Sequence, residues 1–172
     1  MSHRTSLPVA LAASLLLSGC FFSETPKFGL DSAVDILGDG GRYQAYERLE
    51  DGSYKKDEPM TVKRRADRAY DFVDDKGETQ LISFHAIAGG YHVGQAKNEK
   101  NQPPYTYVII RMNGAEALLF VPQCDRQDKS LLLRYGVTLT RQLECTIDRV
   151  LSPAEFFAEV KVGEPASKLV RE

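Results

Sequence analysis

The dipeptide Asn113-Gly114 constrains this chain more than any other feature, because apolar residues run up to it and away from it on both sides. Asn-Gly between alternating or apolar runs is the strongest short-range hairpin signal. Used as the two turn residues, the pair places Arg111 opposite Glu116, Ile109 opposite Leu118 and Tyr107 opposite Phe120 on one face. On the other face Ile110 meets Ala117 and Val108 meets Leu119. Both faces are apolar beyond the turn, so the strands Tyr105–Met112 and Ala115–Pro122 belong inside a protein, covered on each side.

The segments around this hairpin are strand-like as well. Arg42–Glu50 ends at the turn dipeptide Asp51-Gly52, and Met60–Asp67 and Arg68–Val73 lead into Asp74-Asp-Lys-Gly77. Thr79–Ala88 and Tyr91–Lys97 flank Gly89-Gly90, and Leu131–Leu139 and Gln142–Arg149 complete the series. One helix is predicted: Ser152 as N-cap, Pro153 at the first helical position, Glu155 closing a capping box, then Phe156, Phe157 and Val160 as an apolar stripe. Many short strands and a late helix predict a mainly β protein of the α+β kind. Its core is an antiparallel β-barrel or sandwich of about eight strands with one C-terminal helix.

The start of the chain reads differently. Arg4 is followed by the apolar run Leu7–Leu17, and at eleven residues that run is short of the roughly 20 needed to span a bilayer. A basic start, a short apolar stretch and small residues at its end make a secretory signal peptide over residues 1–19. The segment Leu17-Ser18-Gly19-Cys20 resembles the lipobox of bacterial lipoproteins. The resemblance implies cleavage before Cys20, a diacylglycerol on its thiol and an acylated amino terminus. Two or three acyl chains hold a protein durably, since each buried methylene contributes about 0.8 kcal/mol. Phe21 stands where an aspartate would mark inner-membrane retention in such proteins, so the resemblance implies the outer membrane, with the domain facing the periplasm.

Removing the leader removes Arg4 and no acid. The 22 basic residues become 21 against 24 acidic ones, a formal charge of about −3. A weakly acidic, mixed-charge domain offers no electrostatic footprint for nucleic acid. With Cys20 lipidated, Cys124 and Cys145 remain, and in an oxidising compartment a disulfide between them is the expectation. A Cys-x-x-Cys redox spacing is absent, and two isolated cysteines make only half a zinc site. The organisation that follows is a lipid anchor and tether over 20–38, a β-rich domain over 39–162, and a flexible tail over 163–172.

Chemistry is sparse. No Gly-x-Ser-x-Gly, Ser-x-x-Lys or His-Glu-x-x-His occurs, so no catalytic residue is assigned and no cofactor is implied. Gly38-Asp-Gly-Gly41 precedes a strand and lacks the lysine of a phosphate loop, and Asp74, Asp75 and Glu78 lack EF-hand spacing. Lys63-Arg64-Arg65 reads as charge guarding an exposed edge strand. The one constellation is His85 and His92. A two-residue turn at Gly89-Gly90 puts both on one sheet face, diagonally about 7–8 Å apart, where they are either half of a metal site or two polar residues on a wet face. Two functions therefore stand: a non-enzymatic envelope lipoprotein whose β-domain binds an envelope protein or cell-wall partner, and a periplasmic carrier of a small molecule or metal. The carrier would use the barrel interior or the His85/His92 face.

Overall fold

The computed structural model describes residues 21–98, 103–140 and 144–172. Its strands are β1 (Phe21–Ser23), β2 (Gly40–Arg48), β3 (Tyr54–Arg64), β4 (Tyr70–Val73), β5 (Thr79–Ala86), β6 (Tyr91–Lys97), β7 (Tyr105–Asn113), β8 (Glu116–Phe120), β9 (Thr138–Leu139), β10 (Cys145–Thr146) and β11 (Ser167–Arg171). Strands β2 to β8 form an antiparallel meander, each paired with the next. Strand β11 then lies antiparallel between β8 and β2 and closes the circuit. The architecture is an eight-stranded antiparallel barrel. Closure leaves no edge in that circuit.

Two apolar layers result. Inside the barrel lie Tyr43, Ala45, Val62, Tyr70, Phe72, Ile82, Phe84, Ala96, Val108, Ile110, Ala117, Leu119 and Leu169. Gly94 sits in the wall where this packing is tightest: a Cβ there would stand 2.8 Å from Val108 Cγ1 and 3.1 Å from Phe84 Cε1. Outside, the β6–β7–β8 wall presents Val93, Tyr107, Ile109 and Phe120 to a covering layer. That layer consists of β1, the short strands β9 and β10, helix α1 (Lys129–Arg134) and helix α2 (Pro153–Glu159). The central hairpin is thus apolar on both faces because one faces the barrel interior and the other faces the helices.

The hairpin register differs from the expected one by two residues. Asn113 pairs with Glu116 and Ile109 with Phe120, so the turn residues are Gly114 and Ala115. Gly114 has φ +61° and Ala115 does not share the positive sign, which suits a type II′ turn rather than the I′ turn of an Asn-Gly pair. A slip of two keeps every side chain on its face, so the expected division between Ile109 and Ile110 survives.

Five other expectations are corrected. Residues 20–38 are no free tether: from Phe21 onward the segment is β1 followed by a chain packed on the wall, with Phe21 0 % exposed. Its Asp35 takes two hydrogen bonds from Arg64, at 2.9 and 2.6 Å; Lys63 and Arg64 end β3, a strand paired on both sides, and Arg65 follows it, so the run does not guard an edge. Residues 163–172 are no flexible tail, because Ser167–Arg171 is the closing strand. The stretch Leu131–Leu139 begins as helix, through Arg134: Leu131 and Leu132 of α1 pack into the covering layer, and only Thr138–Leu139 is strand. Helix α2 starts at Pro153 as expected, but Ser152 makes no side-chain capping bond and the helix stops at Glu159, leaving Val160 as its C-cap in extended conformation.

Candidate functional site

His85 and His92 do not share a face. Strand β5 pairs His85 with Val93 and Ala86 with His92, one residue away from the expected register. The turn holds three residues, Ala88–Gly90, with Gly89 and Gly90 both at φ +76°, and Ile87 N–H donates to Tyr91 O at 3.0 Å. A one-residue slip moves one of the two partners through the sheet. His85 then faces outward beneath the covering segment, while His92 lies on the barrel's inner side. The shared-face metal site is overturned, and among the described residues no group of three His, Cys, Asp or Glu is placed to hold a metal.

His85 is instead a buried fastener. It is 1 % exposed, and Phe28 stacks on it with ring centroids 4.6 Å apart. Its Nδ1 lies 2.9 Å from Ser32 Oγ and its Nε2 lies 2.8 Å from Ser83 Oγ. The Ser32 hydroxyl donates to Gly29 O at 2.9 Å, so it accepts from Nδ1–H, and Nε2 accepts from Ser83. Every proton has a place only if the ring is neutral. Burial pushes the imidazole down to about 4. His92, whose Nδ1 is buried without a partner, is also pushed down by burial.

The same covering segment is held by a second polar cluster. Gln95 Oε1 accepts from the Lys27 and Phe28 amides at 2.7 and 3.0 Å, and its Nε2 donates to Phe28 O at 3.0 Å. The Tyr107 hydroxyl lies 2.6 Å from Ser23 Oγ, and its pKa is raised by burial. Residues 23–33 are therefore clamped to β5, β6 and β7 by side chains that the sequence alone could not connect. Nothing in their spacing announces the contact.

Cys124 and Cys145 are bonded, with Cα atoms 5.7 Å apart, which ties the start of α1's approach to β10. Cys145 is also the partner of Phe21 in the parallel β1–β10 pair, so the disulfide braces the strand that follows Cys20. Cys20 itself lies outside the described residues. Phe21 packs edge-on to Phe156 and Phe157 at 5.5 and 5.7 Å.

On the far side of the covering layer, Leu133, Arg134, Tyr135, Gly136, Arg149, Leu151 and Ser152 line a groove of about 420 Å³. Leu133 is 79 % exposed and Leu151 95 % exposed. Arg134 is ion-paired with Glu159, and the Tyr135 hydroxyl donates to the same carboxylate at 2.7 Å. These bonds keep the Glu159 carboxyl below its usual range, the Tyr135 bond first. Two leucines so fully in water on a braced surface are unusual in one place and suit contact with another molecule.

The fold and the surface define a single eight-stranded antiparallel barrel with a disulfide-braced outer layer. No family model, curated protein or solved structure matches this chain.

Proposed function

We propose that this chain is a bacterial envelope lipoprotein, held to a membrane by acyl chains on Cys20, whose barrel is a non-enzymatic binding module. The lipobox-like Leu17-Ser18-Gly19-Cys20 segment motivates the anchor. The observation that carries the reading is the position of β1. It begins at Phe21, and Phe21 is buried among Phe156 and Phe157. One residue spans only about 3.8 Å between Cα atoms, so an anchor at Cys20 leaves the barrel almost no slack. A barrel so held presents a fixed orientation to its neighbours in the envelope, and the Phe21 side chain in place of aspartate favours the outer membrane.

The groove beside Leu133 and Leu151 is the surface through which an envelope protein partner is engaged. A photo-crosslinking residue at Leu151 in intact envelopes tests this. One discrete protein adduct, absent when the same residue replaces the exposed Lys55, supports the reading; equal labelling at both positions contradicts it. A second reading, a small-molecule carrier, draws on unpartnered polar atoms inside the barrel, whereas its metal form loses the His85/His92 face that motivated it.

A further inference from the structure

Four buried side-chain polar atoms lack a partner among the described residues, all on the inner side of the barrel: His92 Nδ1 lies toward one end, and Glu58 Oε2, Gln80 Nε2 and Thr106 Oγ1 lie toward the other. Side chains alternate along a strand. Ile82 and Phe84 point inward, so Gln80 does; Val108 and Ile110 point inward, so Thr106 does; Val62 and Met60 pack inward, so Glu58 does. Ser167 shares its face with the interior residue Leu169. The register runs Tyr70–Ile82–Ala96–Thr106 across four strands, and Leu119 pairs with Ser167. Strand tilt in a closed barrel brings Glu58, Gln80, Thr106 and Ser167 level, in the ring nearest the turns at 49–53 and 74–78. Ala45 and Ala96 add short side chains to that ring.

The ring is polar and the layer beneath it is not. Phe72, Ile82, Val108 and Leu119 form an apolar floor. Thr106 is 1 % exposed and Ser167 5 % exposed, so these hydroxyls are inside the wall rather than at its rim. Glu58 is aimed into the ring by a bulge: Gln44 pairs with Pro59 but Tyr46 with Lys56, so Asp57 and Glu58 together oppose Ala45. Buried polar groups are nearly always satisfied, and each that is not needs an explanation. Mouths of β-barrels are a preferred place for small ligands, and an eight-stranded barrel is wide enough either to be filled by side chains or to hold one small ligand.

We propose that this ring binds a small primary amine bearing a hydroxyl group. The ammonium pairs with Glu58 Oε2; burial and the Asp75 carboxylate, which also hydrogen-bonds to Glu58, push that carboxyl up, Lys76 opposes them, and a cation placed there would relieve the two acids. The ligand hydroxyl accepts from Gln80 Nε2 and bonds Thr106 Oγ1, and its carbons rest on the floor. Gln80 supplies donors only through nitrogen, and Glu58 supplies only acceptors when ionised, so the ring demands one cationic donor and one oxygen acceptor. This deepens the carrier reading and is independent of the anchor at Cys20.

The test uses the full chain in detergent with Ala and Thr methyl groups labelled for NMR, titrated with ethanolamine and separately with ethylene glycol. Ethanolamine is expected to shift the Ala45, Ala96 and Thr106 methyls saturably. Glu58→Gln should weaken this at least about tenfold, as for loss of a charged hydrogen bond, with methyl signals elsewhere unchanged to show that the barrel is folded. Thr106→Val should weaken it less. Saturation by ethylene glycol as strong as by ethanolamine would overturn the amine class while leaving a carrier of neutral polyols. No saturable shift with either probe would overturn the site altogether and assign the ring to ordered water only.

Discussion

His85 and His92 stand seven residues apart on paired strands and face opposite sides of the same barrel wall. One is locked between Ser32 and Ser83 under Phe28; the other faces the interior with an unpartnered Nδ1. The separation turns an apparent ligand pair into two unrelated histidines, and it sets the first prediction.

His85 should remain neutral well below the ordinary histidine range, titrating near pH 4. Its folded pKa lies below its unfolded value of about 6.5, so the unfolded chain takes up the proton first on acidification. The stability it contributes is complete above about pH 6.5 and is lost as pH falls toward 4. Urea midpoints measured from pH 7.5 to 4.5 should fall more steeply for the wild type than for His85→Gln. Parallel curves would show that the ring is not held neutral by folding.

The disulfide should matter through the covering layer. Closing a loop with a separation of 21 residues contributes about 3 kcal/mol in the chain-entropy model. Each kcal/mol moves the Tm of a domain this size by about 2–4 °C. The double substitution Cys124→Ser, Cys145→Ser should therefore melt several degrees lower. Two titratable thiols per oxidised chain would refute the bond.

Deleting residues 163–172 separates two accounts of the C-terminus. A frayed tail would be dispensable. Strand β11 is not: it pairs with β2 through Arg171–Ser167 and with β8 through Ser167–Val170, and Leu169 is 3 % exposed. The truncated chain should lose its cooperative melting transition, because both flanking strands become open edges. A truncated protein with an unchanged transition would contradict closure of the barrel.

Phe21→Ala should cost about 3–5 kcal/mol, the range for emptying a buried aromatic site. The substitution leaves the lipobox-like segment untouched. Urea titration of the variant therefore measures how firmly the residue after Cys20 belongs to the folded domain, and a loss under about 1 kcal/mol would restore a loose tether.

Much of the barrel was legible in particular residues. Ile109 and Ile110 announce a strand buried on both faces, and their division between the two faces holds although the turn lies two residues in register from the expected one. The Gly89-Gly90 turn failed because two adjacent glycines admit a two- or three-residue loop equally, and a slip of one reverses a face. Lys129–Arg134 is a short apolar run whose periodicity does not separate helix from strand. Ser167–Arg171 was missed because its partners, Ala45 and Ala117, are distant in the chain and only Leu169 marks its inner face. The polar ring was illegible for the same reason: Glu58, Gln80, Thr106 and Ser167 become neighbours only through the tilt of a closed barrel.

The anchor is the centre of the functional account, and the intact mass of the protein extracted from its native envelope tests it most directly. A chain beginning at Cys20 and carrying a diacylglyceryl group, with an acyl chain on its amino terminus, is the predicted result, and Cys20→Ser should abolish the added mass. A chain that retains residues before Cys20, or one beginning there with a free thiol, would contradict it.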